Sequence, residues 1–280
     1  MSVFDETMGD IDGPGRPAPS PSPSPSPSPS PVTGPLALGW LTLSLLTVGL
    51  VAVQASGPGL VVGALGPYAL IATFVRRRFD QATLHHFGPA NAITLLRAVL
   101  NVFVLGLVVD ALGGGGGDQG EGSAGTAWIV ASLATVSLAL DGVDGHLARR
   151  ARTASAFGAR FDVEVDALLL VVLALAAVVL AEVGVWVLTL GLAYYAFLAA
   201  QTRLPWLRQP LPPSFARKAV FVAQAMALLA LMLPPVASTA ATVLAAAALA
   251  AMTLSFARDV LWLARERTRR DPDKAADARP

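Results

Sequence analysis

Eight apolar stretches follow one another along this chain, at 36–53, 59–75, 92–112, 127–147, 161–181, 183–200, 219–233 and 239–263, with only short breaks between them. A bilayer core about 30 Å thick is crossed by roughly 20 residues of helix, so each stretch is a candidate span. Hydrocarbon offers no partner for a backbone N–H or C=O, which leaves helices as the spanning structure for segments of this kind. The expected fold is therefore all-α, a polytopic membrane helix bundle. Hydrophobic residues make up 54% of the chain and charged residues 14%, with a mean hydropathy of +0.61. A soluble domain of this size has no core large enough to hide such a surface.

The placement of charge orients the bundle. If the first span enters from the cytoplasm, the basic groups at 76–78, 149–160 and 203–218 and the tail from Arg265 all fall inside. The opposite connections hold only acidic or neutral residues, including Asp118 and Glu121 in the 113–125 loop. That asymmetry is what the positive-inside rule requires, and it predicts cytoplasmic termini. Trp40, Trp128, Trp186, Trp206 and Trp262 each fall at or beside an expected span end, the usual level of interfacial aromatics. Residues 1–35 contain a Ser-Pro repeat at 20–31, expected to be an extended, solvated tail. Asp5, Glu6, Asp10 and Asp12 stand where a signal peptide would be basic, so the tail is expected to be retained. Cysteine is absent, which excludes disulfides, thiolate metal sites and a cysteine nucleophile. Nothing in the charge pattern supports nucleic acid as a partner.

Four aspartates break the apolar pattern. The apolar run before Asp141 covers only about 21 Å as helix, too short for the bilayer core, so the fourth helix must continue through Asp141 and Asp144. The run after Asp166 covers roughly 22 Å and leaves Asp166 and then Asp162 at a comparable depth. Asp141 and Asp144 are spaced i, i+3 and Asp162 and Asp166 i, i+4, so each pair shares one helix face. Facing each other on antiparallel helices, the four would form a carboxylate cage. Such a cage repels itself unless cations enter, and an all-oxygen donor set suits Mg²⁺ or Mn²⁺, with two ions sharing the four side chains. The competing reading is a set of interfacial acids that reach water. Glu164 lies about 200° around the helix from Asp162 and is expected to pair with a neighbouring base instead. Gly145, Ala148 and Gly158 keep space beside the acids, either for a polyphosphate or for close helix packing. Arg149 is read equally as a phosphate ligand or a cytoplasmic anchor.

Written out, Asp141-Gly142-Val143-Asp144-Gly145-His146-Leu147-Ala148-Arg149, eight residues, Gly158, three residues, Asp162, three residues and Asp166 resembles the signature of the CDP-alcohol phosphotransferase family at every fixed position. The resemblance covers about 89–263 and implies a six-helix core, here preceded by two additional transmembrane helices. It implies that Asp141, Asp144 and Asp162 bind metal ions, and that Asp166 is a ligand or the base for the acceptor hydroxyl. Gly145, Ala148 and Arg149 would border the CDP group. Asn91, Thr94 and Arg97 look like the polar residues of the family's first core helix, which line the nucleotide pocket. Near the fifth core helix, where many members carry a Gly-Lys-x-Lys-Thr-x-x-Gln pattern, only Lys218 and Gln224 fit.

The implied reaction is metal-dependent transfer of a phosphoalcohol group from CDP-diacylglycerol or another CDP-alcohol to an acceptor alcohol, with CMP released, in phospholipid biosynthesis. A divalent-ion transporter and an inactive membrane scaffold are the alternatives. The resemblance also implies a homodimer embedded among membrane lipids. Arg203, Arg208, Arg217 and Lys218 form a basic inner loop that either holds a phosphorylated polyol or serves topology alone. His85, His86 and His146 are read as interfacial. The expected organisation is a disordered cytoplasmic tail at 1–35, a transmembrane hairpin at 36–75, a catalytic membrane domain at 76–264 and a cytoplasmic tail at 265–280. The location expected is a bacterial plasma membrane, with the active site facing the cytoplasm.

Overall fold

The computed structural model describes residues 32–54, 57–82, 87–114, 121–151, 155–181, 183–212, 214–233 and 238–270; side chains at 52–54, 121–123, 143–151, 238 and 270 lie outside the description. The described residues contain eight long helices and no strand. They are α1 (Thr33–Gln54), α2 (Pro58–Gln81), α3 (Pro89–Leu112), α4 (Glu121–Ala151), α5 (Ala156–Leu180), α6 (Leu188–Arg203), α7 (Phe215–Met232) and α8 (Ser238–Arg270). Single-turn 3-10 helices at Val185–Val187 and Pro205–Arg208 flank α6. Each of the eight, α6 together with the 3-10 turn before it, contains a segment long and apolar enough to cross a membrane. The bundle's surface agrees: Leu38, Leu45, Val62, Leu70 and Leu254 are between 64 and 74% exposed, which acyl chains can cover and water cannot. The chain is thus an all-α polytopic bundle.

Several helices extend past their apolar runs. Expected at 127–147, the fourth span is the middle of a helix that continues to Ala151, because nothing in Asp141-Gly142-Val143-Asp144 breaks a helix once polar groups are met at its end. The eighth runs to Arg270 rather than 263; at 33 residues it is about 50 Å long, so its arginine-rich end passes beyond a bilayer core. Trp40 lies about two turns into α1 and packs edge-on against Tyr68 of α2, ring centroids 4.9 Å apart.

The centre of the bundle is α3, which packs against α1, α2, α4 and α5. Of its apolar window 67% is buried, against 17% for α1 and α6, so it is shielded on nearly every side. Close approach makes this crossing possible. A Cβ added at Gly63 of α2 would lie 3.0 Å from the Cα of Gly106 on α3, so this pair admits no larger side chain without separating the helices. Beyond the glycines, Asp110 near the end of α3 is buried and accepts from the backbone N–H of Gly57 and of Leu60, each at 3.2 Å. It satisfies the first turn of α2, whose donors have no partner within the helix. The hydroxyl of Tyr68 donates to the Leu36 carbonyl at 2.9 Å and joins α1 to α2.

Candidate active site

Three helices meet around one charged cluster. Asp141 comes from α4, Asp162 and Asp166 come from successive turns of α5, and one oxygen of each lies within 4.8 Å of the others. Arg97 of α3 enters this cluster. Its Nη1 lies 3.0 Å from Asp141 Oδ1 and 2.7 Å from Asp162 Oδ1, and its Nη2 pairs with Asp166 Oδ1. The guanidinium is fully buried, while the side chains of Asp141, Asp162 and Asp166 are 31, 37 and 21% exposed. Arg97 therefore sits behind the acids, and the acids keep an open side.

Arg97 is itself held in place. Its Nε donates to the Ser137 carbonyl at 3.1 Å, the Ser137 hydroxyl donates to Asn101 Oδ1 at 2.8 Å, and Asn101 Nδ2 donates to the Val165 carbonyl at 3.2 Å. This buried chain of bonds crosses from α3 to α4 and α5 and sets their register one turn below the acids. A buried arginine without such partners would be costly, whereas here its charge and donors meet acceptors on both neighbouring helices.

The residues expected from sequence divide into three groups. Asp141, Asp162 and Asp166 are brought together as the cage required. Asp144, Gly145, Ala148 and Arg149 stand on the last turns of α4, and their side chains lie outside the described residues, as do His85, His86 and His146. Asn91 and Thr94 stand on the first turns of α3 and Gly158 on the first turn of α5. A Cβ at Gly158 would lie 2.6 Å from Asn91 Oδ1, so this glycine lets α5 approach the Asn91 side chain, which itself donates to the Phe87 carbonyl. Thr94 is buried and donates to the Ala90 carbonyl at 3.1 Å. Arg97, read from sequence as a nucleotide-lining residue, has its guanidinium within the carboxylate cluster. Glu164 turns away and meets Arg160 Nε at 3.6 Å, as its position on the helix required.

The residues of the basic loop are held differently. Arg208 lines a cavity of about 340 Å³ with Arg160, Leu198, Gln201 and Thr202, while Arg203 and Lys218 are exposed and do not line it. Arg208 Nε donates to the Gln201 carbonyl at 3.0 Å, and Gln201 Nε2 donates to the Leu207 carbonyl at 3.2 Å, which fastens the 3-10 turn to the end of α6. Arg217 reaches both oxygens of Asp259 at 3.2 Å, so it ties α7 to α8. Gln224 is buried between α7 and α6, its Nε2 3.5 Å from the Leu190 carbonyl.

Sequence reasoning missed Asn101, Ser137 and Asp110. Two of them carried a signal: Asn101 stands four residues after Arg97 and Ser137 four before Asp141, each one turn deeper on the same face. A polar residue one turn deeper than a buried charge in an apolar helix is a candidate partner for that charge.

An acidic cluster between three helices, with one side open and a built-in arginine behind it, gives this polytopic apolar bundle a polar site between its helices. Among the described residues its three carboxylates outnumber the one guanidinium, and their oxygens converge closely enough to hold a hard divalent cation. The family model for CDP-alcohol phosphatidyltransferase matches residues 87–256, and the chain belongs to that family. The match begins just before α3 and ends within α8, so α1 and α2 lie outside it. No curated protein and no solved structure matches the chain. Family membership makes it a transferase that moves a phosphoalcohol group from a CDP-alcohol.

Proposed function

We propose that this protein transfers a phosphatidyl group from CDP-diacylglycerol to the hydroxyl of a second alcohol and releases CMP. The observation that carries this reading is the convergence of Asp141, Asp162 and Asp166 in a half-buried cluster inside the family-matched region. Asp141, Asp144 and Asp162 are the proposed ligands of Mg²⁺ or Mn²⁺, with Asp166 shared between binding and proton transfer. Two such ions, when bound, supply charge neutralisation at the diphosphate and acidify the incoming hydroxyl. The acceptor oxygen forms its bond to the β-phosphorus as the bond to CMP breaks, and CMP leaves with the electron pair. Arg97 engages Asp166 through Oδ1, so Oδ2 is the oxygen assigned to take the acceptor's proton. Asn91, Thr94, Gly145, Ala148, Arg149 and Gly158 are assigned to the CDP side, and Arg203, Arg208 and Lys218 to the acceptor side. The reading takes 76–264 as the catalytic domain and the protein as a homodimer.

Purified protein given CDP-diacylglycerol, Mg²⁺ and a panel of acceptor alcohols should release CMP with at least one acceptor, and a chelator should stop it. CMP release that no acceptor stimulates, or that ignores the chelator, would sink the reading. We also assign the site, both termini and the 149–160 segment to the cytoplasm, because the basic residues collect on that side. With no native cysteine, Ser155→Cys should resist an impermeant thiol reagent added to whole cells and Ser123→Cys should react. The reverse pattern inverts the topology.

A further inference from the structure

A pair of cations lies on the opposite face of α5 from the acids, since Arg160 is about 200° around the helix from Asp162. There α2 and α5 enclose a cavity of about 300 Å³ lined by Phe74, Arg78, Gln81, Phe157, Arg160 and Phe161, among others. Arg78 stands about one turn before the end of α2, and Arg160 about one turn after the start of α5. For helices that cross the membrane in alternation, these two ends share a side, so both guanidiniums sit near the level of lipid headgroups. Below them the lining is aromatic.

The cavity's aromatic lining is packed against itself and against Arg78. Arg78 lies over the Phe74 ring, 5.3 Å from its centroid. Phe79 of α2 packs edge-on against Phe157 of α5 at 5.5 Å, and Phe157 stacks on Phe161 at 5.9 Å. Glu164 pairs with Arg160 at 3.6 Å, and the residues that line the cavity include two guanidiniums and no carboxylate. A cationic rim over an aromatic floor suits an amphiphile with a phosphate at its head and hydrocarbon below. Free phosphate would gain nothing from the three phenylalanines. The wall supplied by α2 lies outside the family-matched region, whereas the wall supplied by α5 lies inside it.

We propose that Arg78 and Arg160 bind the headgroup phosphate of an anionic phospholipid in the cleft between α2 and α5, a site separate from the carboxylate cluster. The alternative is diffuse attraction of the basic membrane face to anionic lipid, in which every nearby arginine counts alike. Arg77 provides the contrast: it is exposed on the same turn of α2 as Arg78 but does not line the cavity.

The test measures the thermal unfolding temperature of the full chain in detergent micelles, with a chelator present throughout so that ion-dependent binding at the acids does not contribute. Phosphatidylglycerol, phosphatidylcholine and inorganic phosphate are added in turn. The wild type and Arg77→Gln should be raised by several degrees with phosphatidylglycerol and clearly less with the other two, whereas Arg160→Gln and Arg78→Gln should lose at least half of that gain. Equal losses in Arg77→Gln and Arg160→Gln would overturn the site in favour of diffuse attraction. An equal gain from inorganic phosphate would overturn the lipid assignment, and no gain in the wild type would overturn both. If one of the two cavity variants fails to fold, the other carries the comparison with Arg77→Gln.

Discussion

The two ends of α3 each bury a charge, about 20 Å apart along the helix, and handle it in opposite ways. At one end Asp110 accepts from two backbone N–H groups of α2, and its function ends there: it caps a helix and fastens the additional hairpin to the core. At the other end Arg97 meets three carboxylates from two helices, more negative charge than it can balance. A locally satisfied ion builds structure, whereas an outnumbered one leaves a field that a cation and a polyphosphate can complete. The same helix therefore separates a structural terminus from a chemical one.

The contrast predicts the largest effects at the acids. Asp162→Asn should abolish CMP release, and Asp166→Asn should do the same while retaining most affinity for the CDP donor. The reason is that a base contributes mainly as the hydroxyl loses its proton, whereas a metal ligand also stabilises the bound ground state. Asp144→Asn should weaken donor and metal binding together. Metal-dependent donor binding by calorimetry distinguishes them; equal loss in the Asp144 and Asp166 variants would make Asp166 a plain ligand.

Arg97→Gln comes next. Removing one partner of a buried ion-pair cluster typically costs ~3–5 kcal/mol, so unfolding should shift well below the wild type when a chelator is present. Mg²⁺ should recover a larger share of stability in this variant than in the wild type, since added cations then relieve repulsion that the guanidinium no longer offsets. A parallel drop with and without Mg²⁺ would reduce Arg97 to a packing role.

Asp110→Asn should have the smallest effect. Weakening two buried hydrogen bonds to a carboxylate costs about 1–3 kcal/mol, and CMP release per folded molecule should stay at the wild-type rate. Thermal unfolding measured beside the activity assay checks both halves. A loss of activity in the folded variant would join the two ends of α3 that the structure keeps apart.

How much of this was legible before folding depended on whether the signal was local. The apolar runs set the helix count, because a spanning segment must satisfy its own backbone within its own residues. The spacing of Asp141, Asp162 and Asp166 placed their carboxylates on helix faces for the same reason, and the turn geometry that sent Glu164 toward Arg160 is equally local. Neither Arg97's entry into the acid cluster, nor the bonds through Asn101 and Ser137, nor the fastening of α2 by Asp110 could be read this way. Each joins residues between 36 and 69 positions apart in the chain. Such contacts depend on which face of α3 turns toward which neighbour, and in an apolar helix that rotation is decided by close approaches such as Gly63 against Gly106 and by the pairing of buried charge. Period and composition determined the spans and the acids; only the packed bundle decided which cation stands behind those acids, because that choice belongs to three helices at once.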